Sequence, residues 1–349
     1  MTKNANFVGM TAIKRRAVFI LNPISGTGDK EFIPDIIREE IDSAAFDCRI
    51  VQSEYAGHAA EIARRCVSEG VDIVVAVGGD GTVNETARAL VHTGTALGIV
   101  PCGSGNGLAR HLCIPMDIRK AVKTINNCKI EPLDYGVVNG LPFFCTCGMG
   151  FDAFISMKFA QAGKRGLKTY VENVLKEWLK YQPETYTVED GTGERTYQAF
   201  LITCANASQY GGNAFIAPRA TMTDGLMDVT VMEPFDVFDA AQISFDMFNK
   251  TLDKNSKIKT FRTKSIKIHR DAPGAIHYDG DPVMTREEVD VHIEPKGIRM
   301  VINDNVPESA PLPNILLNAF AMLQDNINNM RTDIEMRGRR ILTGKIIKR

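Results

Sequence analysis

The chain has 349 residues, 44% of them hydrophobic and 24% charged, with a formal net charge of -1. That composition belongs to a globular protein with full cores, the length favours two domains, and near-neutrality supplies no field to draw nucleic acid. No apolar run approaches the ~18–20 residues of a membrane-spanning helix. The eight cysteines lack paired spacing and no secretory signal precedes Arg15, which predicts reduced thiols and a cytoplasmic location.

From Arg15 onward, apolar runs alternate with stretches of helical spacing. Strands are predicted at 17–23, 46–52, 72–77 and 96–101, and helices at 30–41, 58–69 and 82–91. This rhythm predicts a doubly wound α/β domain over 15–134, built on a parallel sheet. Beyond Asp134 the texture changes. Asn139-Gly140 between two apolar runs signals a hairpin, and Cys145 and Cys147 share one face of a buried strand, not a metal site. Further strands are predicted at 185–190, 195–206, 226–233, 258–270 and 289–302, with helices at 166–182, which carries Trp178 for core packing, and at 236–251. The expectation is a mainly antiparallel β-sandwich over 135–305. Residues 306–349 then supply a helix at 313–331, packing back on the first domain, and a basic tail.

Three strands of the parallel sheet end in glycine-rich turns: "NPISGTG" (22–28), "GGDGT" (78–82) and "CGSGNG" (102–107). Carboxyl ends of parallel strands share one edge, where ligands bind in open α/β sheets. Bare backbone N–H groups there form a cradle for phosphate oxygens. None of the three is a Walker A loop or a G-x-G-x-x-G fingerprint. Asp80 within the second turn would repel a triphosphate unless a cation lies between them, so it implies a bridging Mg²⁺; a plain Asp-Gly turn is the alternative. Thr82 and Glu85 have the spacing of a capping box, which accounts for Glu85 without catalysis.

The segments "NPISG", "GGDGTVNE" and "GSGN", in this order at the ends of predicted strands, resemble the diacylglycerol kinase catalytic family, which includes sphingosine kinases and bacterial lipid kinases. The resemblance covers about residues 15–305. It implies ATP bound with Mg²⁺, and it implies that Asn22, Pro23, Ile24, Ser25 and Gly26, then Gly78, Gly79, Asp80, Gly81, Thr82, Val83 and Asn84, and Ser104 line the nucleotide. "SEYAGHA" (53–59) is similar to the family's Thr-x-x-x-Gly-His/Asp-Ala, with Ser53 in place of Thr. Ser53 keeps the hydroxyl for a phosphate or ribose contact, and a helix cap explains it equally well.

Phosphoryl transfer to an alcohol needs a carboxylate near the hydroxyl. "HYDGDP" (277–282) offers Asp279 and Asp281. The family reads Asp-Gly-Glu here and its final acid is the general base, which the resemblance carries to Asp281. That acid is one methylene shorter than Glu, a departure of about an ångström. Asp80 is the rival base, and an ordinary Asp-Gly turn is the alternative reading of the segment. "APRATMTDGLMDV" (217–229) resembles a structural Mg²⁺ segment, which implies Asp224 with backbone oxygens of Thr221 and Leu226 as ligands; a plain turn is equally open. "GMGFDAF" (148–154) resembles the segment whose aspartate holds the lipid headgroup, implying that role for Asp152; service to the helix dipole is the other reading.

The function expected is an ATP-dependent lipid kinase working at a membrane surface, without nucleic acid. "GSGNG" is closer to sphingosine and ceramide kinases and tilts the acceptor toward a sphingoid or ceramide-like lipid, with diacylglycerol open. The alternatives are an NAD kinase-like enzyme, since NAD kinases share the "GGDG" pattern, and a nucleotide-binding regulator without catalysis. Peripheral contact at the inner membrane face rests on the tail "RGRRILTGKIIKR", for which a solvated segment is the other reading.

Overall fold

The computed structural model describes residues 14–26, 30–162 and 181–303. They divide into two compact units, 14–133 together with 296–303, and Asp134–Pro295. The helix expected over 166–182 lies outside the described residues except for its last two positions, as do Thr27, Gly28, the C-terminal helix and the tail.

The first unit runs β1 (Arg15–Leu21), α1 (Ile33–Glu40), β2 (Phe46–Gln52), α2 (His58–Ser68), β3 (Ile73–Gly78), α3 (Asp80–Leu90), β4 (Ala96–Pro101), α4 (Gly107–His111) and α5 (Ile118–Asn127). Its strands pair in parallel in the order β2-β1-β3-β4. Every residue of β3 and β4 is buried, as continuous apolar runs in a sheet covered on both faces require. The chain leaves β1 toward β2 and returns past it to β3. The topological switch point therefore falls between β1 and β3, the place where such sheets bind ligands.

The second unit continues from β5 (Ile130–Val138) through β6 (Leu141–Phe143), β7 (Thr146–Gly150), α6 (Phe151–Ala162), β8 (Glu184–Asp190), β9 (Gly193–Ala199), β10 (Leu201–Ala205) and β11 (Met227–Met232). It then runs α7 (Val237–Phe248), β12 (Ile258–Thr263), β13 (Ser265–Arg270), β14 (Gly274–Tyr278), β15 (Asp281–Thr285) and β16 (Glu288–Val301). One antiparallel layer has the order β12-β11-β10-β7-β14-β15, and the other holds β9, β8, β13 and the start of β16. Tyr186, Ile268 and Val289 of one layer and Cys204, Val229 and Ile276 of the other share a single core. The antiparallel sandwich is thus as expected. A second cluster containing Phe151, Phe200 and Ile243 brings α6 and α7 onto the chain around β10.

Two differences from the sequence reading have one cause. The runs 195–206 and 258–270 each read as one strand, but each breaks at a single residue, Phe200 or Lys264, and passes from one layer to the other. Chains that switch layers at a bend keep their apolar pattern, so the pattern conceals the corner. The sequence pattern extends the second domain to residue 305. Instead β16 outlasts the sandwich: Met300 pairs in parallel with Leu97 of β4, and Ile302 N–H donates to Lys129 O at 2.9 Å. Residues 296–303 belong to the first unit.

Candidate active site

The three glycine turns do sit at the carboxyl ends of β1, β3 and β4, and side chains knit them together. Asn22 Nδ2 donates to Thr82 Oγ1 at 2.9 Å, bridging the loops after β1 and β3 at the switch point. Asn22 Oδ1 also accepts from Ile24 N–H at 3.1 Å, leaving Pro23 and Ile24 exposed at the tip. Ser25 is buried and its hydroxyl accepts from Lys30 Nζ at 2.7 Å. Lys30 is itself only 8% exposed, and its charge acts on the thiol of Cys102 in the third turn. Ser53 donates its backbone N–H to Leu21 O; the cap of α2 is Gly57, so the capping role considered for Ser53 is not the one it has.

Three of the glycines stand where one loop packs on another. Gly26, at φ +70°, leaves no room for a Cβ against the carbonyl of Cys102. A Cβ on Gly103 would lie 2.7 Å from Gly79 Cα, and one on Gly105 would lie 2.7 Å from Asp80 Oδ2. Gly81 differs: nothing lies within 4 Å of the position its Cβ would take. It opens onto space in the first turn of α3, whose backbone N–H groups lack intrahelical partners. Ser104 is exposed on the third turn, whereas Val83 and Asn84 are buried at 5% and 3% exposure with their side chains turned inward. The capping box does not form. α3 starts at Asp80 with Gly79 as its cap, and Thr82 instead serves Asn22.

Asp80 has a role that the sequence did not reveal. Its Oδ2 accepts from Asn106 N–H and its Oδ1 from Gly107 N–H, both at 2.8 Å, so it ties the second turn to the third at the start of α4. Asn106, at φ 52°, completes the turn by accepting from Gly103 N–H and donating to Gly103 O. Nearby, Arg110 donates through Nε to Gly105 O, and burial lowers its pKa against the opposing charge of Asp80.

The remaining acids lie in the second unit. Asp279 and Gly280, at φ 53° and 87°, form the two-residue turn joining β14 to β15. Asp279 is no base: its carboxylate accepts from Phe144, Cys145 and Thr146 N–H at 2.8, 2.7 and 3.1 Å. Asp281 starts β15 and is exposed. Asp152, in the first turn of α6, accepts at Oδ2 from Thr203 Oγ1 at 2.9 Å and Tyr210 OH at 3.2 Å, faces His277 Nε2 at 3.1 Å, and accepts at Oδ1 from Ala153 N–H.

Residues 16–138 match the diacylglycerol kinase catalytic domain, and residues 146–302 match the YegS C-terminal NAD kinase beta sandwich-like domain. A Bacillus subtilis diacylglycerol kinase is 30% identical over 229 residues, 63% of this chain and 74% of that protein. The chain belongs to the diacylglycerol kinase catalytic-domain family. An uncharacterized Synechocystis protein is 30% identical over 300 residues, 80% of this chain and 69% of its own. The fold is also that of a diacylglycerol kinase crystal structure from Bacillus anthracis, with a TM-score of 0.66 at 23% identity over 84% of this chain and 98% of that one.

Membership in this kinase family makes the chain a kinase and sets the NAD kinase alternative aside, since that likeness is confined to the sandwich domain. A nucleotide-borne Mg²⁺ fits Asp80: each oxygen has accepted one hydrogen bond and keeps a further lone pair. At the second predicted metal site the carboxylate is paired with an arginine. Asp224 is ion-paired to Arg262 Nη2, and Arg262 Nε reaches Asp228 at 3.2 Å. Asp224 Oδ1 accepts from Leu226 N–H at 3.1 Å, and Thr221 Oγ1 lies 3.0 Å from Thr223 Oγ1. The guanidinium supplies positive charge to Asp224; these contacts do not involve the backbone oxygens of Thr221 and Leu226, the other two ligands that the resemblance implies. Sequence reasoning missed Lys30, Asn106, Arg110 and His277. Asn106 and His277 stand within the segments "GSGN" and "HYDGDP", and Lys30 and Arg110 lie next to the glycine turns, but no local pattern shows what they bind.

Proposed function

We propose that the chain is an ATP-dependent lipid kinase that phosphorylates the hydroxyl of an uncharged lipid of the diacylglycerol class. Nucleotide binding is best supported by the Asn22–Thr82 bridge at the switch point, beside the open position of Gly81. N–H groups at the start of α3 would receive phosphate oxygens, and Lys30 and Arg110, which follow the first and third turns, would supply positive charge. Mg²⁺ arriving with ATP and held by Asp80 would neutralise charge on the phosphates.

Asp281, exposed and outside the backbone clamp that engages Asp279, is the residue of this segment suited to receive the acceptor's proton. The acceptor oxygen bonds to the γ-phosphorus, the bond to the β-bridging oxygen breaks, ADP leaves, and the hydroxyl proton passes to the Asp281 carboxylate. The choice of acceptor rests on Asp152. A sphingoid amine would need a carboxylate ready to pair with it, yet Asp152 is engaged by Thr203, Tyr210, His277 and Ala153. This favours an uncharged headgroup over the sphingoid tilt of "GSGNG". No described helix is long and apolar enough to cross a membrane; in this reading the enzyme is cytoplasmic and meets its lipid peripherally, at the inner membrane face.

The test is phosphorylation of dispersed diacylglycerol, ceramide and sphingosine with γ-labelled ATP, with products identified by mass spectrometry. Phosphatidic acid as the main product is expected. Sphingosine phosphate in excess of it would overturn the acceptor assignment, and labelling of none of the three lipids would overturn the lipid kinase reading.

A further inference from the structure

The histidine before the Asp-Gly turn has no part in the mechanism above, yet it is 2% exposed and is the penultimate residue of β14. Its register partners are Gly148 on β7 and Pro282 on β15. Gly148 is the slot that lets it reach across the strand: a Cβ there would collide with Asp152 Oδ2 and lie 3.0 Å from His277 Nε2. On one side His277 Nε2 faces Asp152 Oδ2 at 3.1 Å; on the other, Nδ1 accepts from Gly280 N–H at 3.4 Å. The two ring nitrogens thus engage two partners, a backbone N–H at Nδ1 and a carboxylate at Nε2. The edge of the Tyr210 ring packs against the imidazole at 6.2 Å between centroids, and Tyr210 and Thr203 hold the far side of Asp152.

Gly280 immediately precedes Asp281. The turn is therefore held at two points, by Asp279 on the N–H groups of 144–146 and by His277 on the N–H of Gly280. We infer that His277, oriented by Asp152, is a positioning residue for Asp281, through the hydrogen bond that fixes the turn presenting that carboxylate. The inference rests on the proposed role of Asp281 as proton acceptor. The need for it is physical: an aspartate is one methylene shorter than a glutamate and searches less space, so the backbone must place it, and about an ångström of error at a reacting group can cost a hundredfold in rate.

The tests separate the two ends of the imidazole. His277→Ala removes both contacts, His277→Asn restores an acceptor near Nδ1 alone, and His277→Gln restores a donor near Nε2 alone. With MgATP and dispersed diacylglycerol, His277→Ala should lower kcat about ten- to hundredfold, with the KM for ATP within about twofold. His277→Asn should recover most of the loss and His277→Gln little of it. In an Asp281→Asn background, His277→Ala should lower kcat no further, because its effect passes through Asp281. An undiminished kcat in His277→Ala, a rescue by Gln instead of Asn, or a second full loss in the double variant would each overturn the inference. Exchange of the Gly280 amide, followed by NMR in deuterated buffer, decides the structural half without turnover. It should quicken in His277→Ala and return toward wild type in His277→Asn, and unchanged exchange would refute the contact. Should the wild-type protein phosphorylate no lipid, the proposed function falls, while Gly280 exchange still tells whether His277 holds the turn.

Discussion

At the scale of single residues, three aspartates that each adjoin a glycine have different surroundings. Asp279 is bound by three backbone N–H groups, Asp80 by two, and Asp281 starts a strand with its side chain exposed. Asp281→Asn should therefore lower kcat by about a hundredfold or more, the range of a lost general base, with ATP affinity within twofold. Asp281→Glu should retain or raise activity. Loss of ATP binding in Asp281→Asn, measured by calorimetry, would return the residue to a structural role. Asp80 carries a different expectation. Because it joins two loops, Asp80→Asn should lose activity and also destabilise the protein by about 1–2 kcal/mol in urea titration. A variant as stable as wild type would deny the tie. The Asp-Gly pairs were legible in the sequence, whereas what they bind was not. Asn106 lies 26 positions from Asp80 and Thr146 lies 133 from Asp279. No local pattern records contacts made across the fold.

At the scale of elements, the glycine turns were legible as turns, but the reason for Gly26, Gly103 and Gly105 was not. Loops that meet backbone to backbone need glycine as much as a phosphate does, and the difference appears only when neighbouring loops are in place. Gly26 and Gly81 make the contrast testable. Gly26→Ala forces a Cβ into the carbonyl of Cys102 at a positive φ and should destabilise the protein by several kcal/mol or prevent folding. Gly81→Ala meets open space on a helix and should leave stability unchanged or raise it by up to about 1 kcal/mol. ATP binding by Gly81→Ala should nevertheless weaken at least tenfold, because the methyl group occupies space the phosphates would use. Melting curves and calorimetric titration of the two variants separate the outcomes; full ATP affinity in Gly81→Ala would remove the nucleotide from that position. The strands of the first unit were legible because buried parallel strands are unbroken apolar runs, and α1 to α3 by their helical spacing, whereas α4 and α5 were not read. The corners at Phe200 and Lys264 and the two-part pairing of β16 were hidden, since apolar residues face a core on both sides of each break.

For the whole molecule, stability should depend on protons and on nucleotide, and not on a permanent divalent cation. His111, at the end of α4, is partly exposed, yet its desolvated surroundings lower its pKa to about 4. An unfolded chain takes up that proton near 6.5, so acid favours unfolding: stability is full above about 6.5 and falls as the pH drops toward 4. The loss is at most about 3 kcal/mol. Urea midpoints for His111→Gln should fall less steeply over that window than those of wild type, and parallel profiles would deny the effect. The cation prediction follows from Arg262, which faces Asp228 across β11 and β12 by register and also pairs with Asp224. In that arrangement the 221–226 loop is closed by an arginine and by Gly225 N–H on Asp134 Oδ2 at 2.7 Å. A chelator should then leave the melting temperature of the nucleotide-free protein unchanged, and Mg²⁺ alone should not raise it. Mg²⁺ with ATP should raise it, because a ligand that binds only the folded chain stabilises it by mass action. Arg262→Met leaves Asp224 and Asp228 without their cation and should lower the melting temperature, with millimolar Mg²⁺ recovering part of the loss where it does nothing for wild type. A wild-type protein that melts several degrees lower in chelator would show that a bound cation does the work assigned here to the guanidinium.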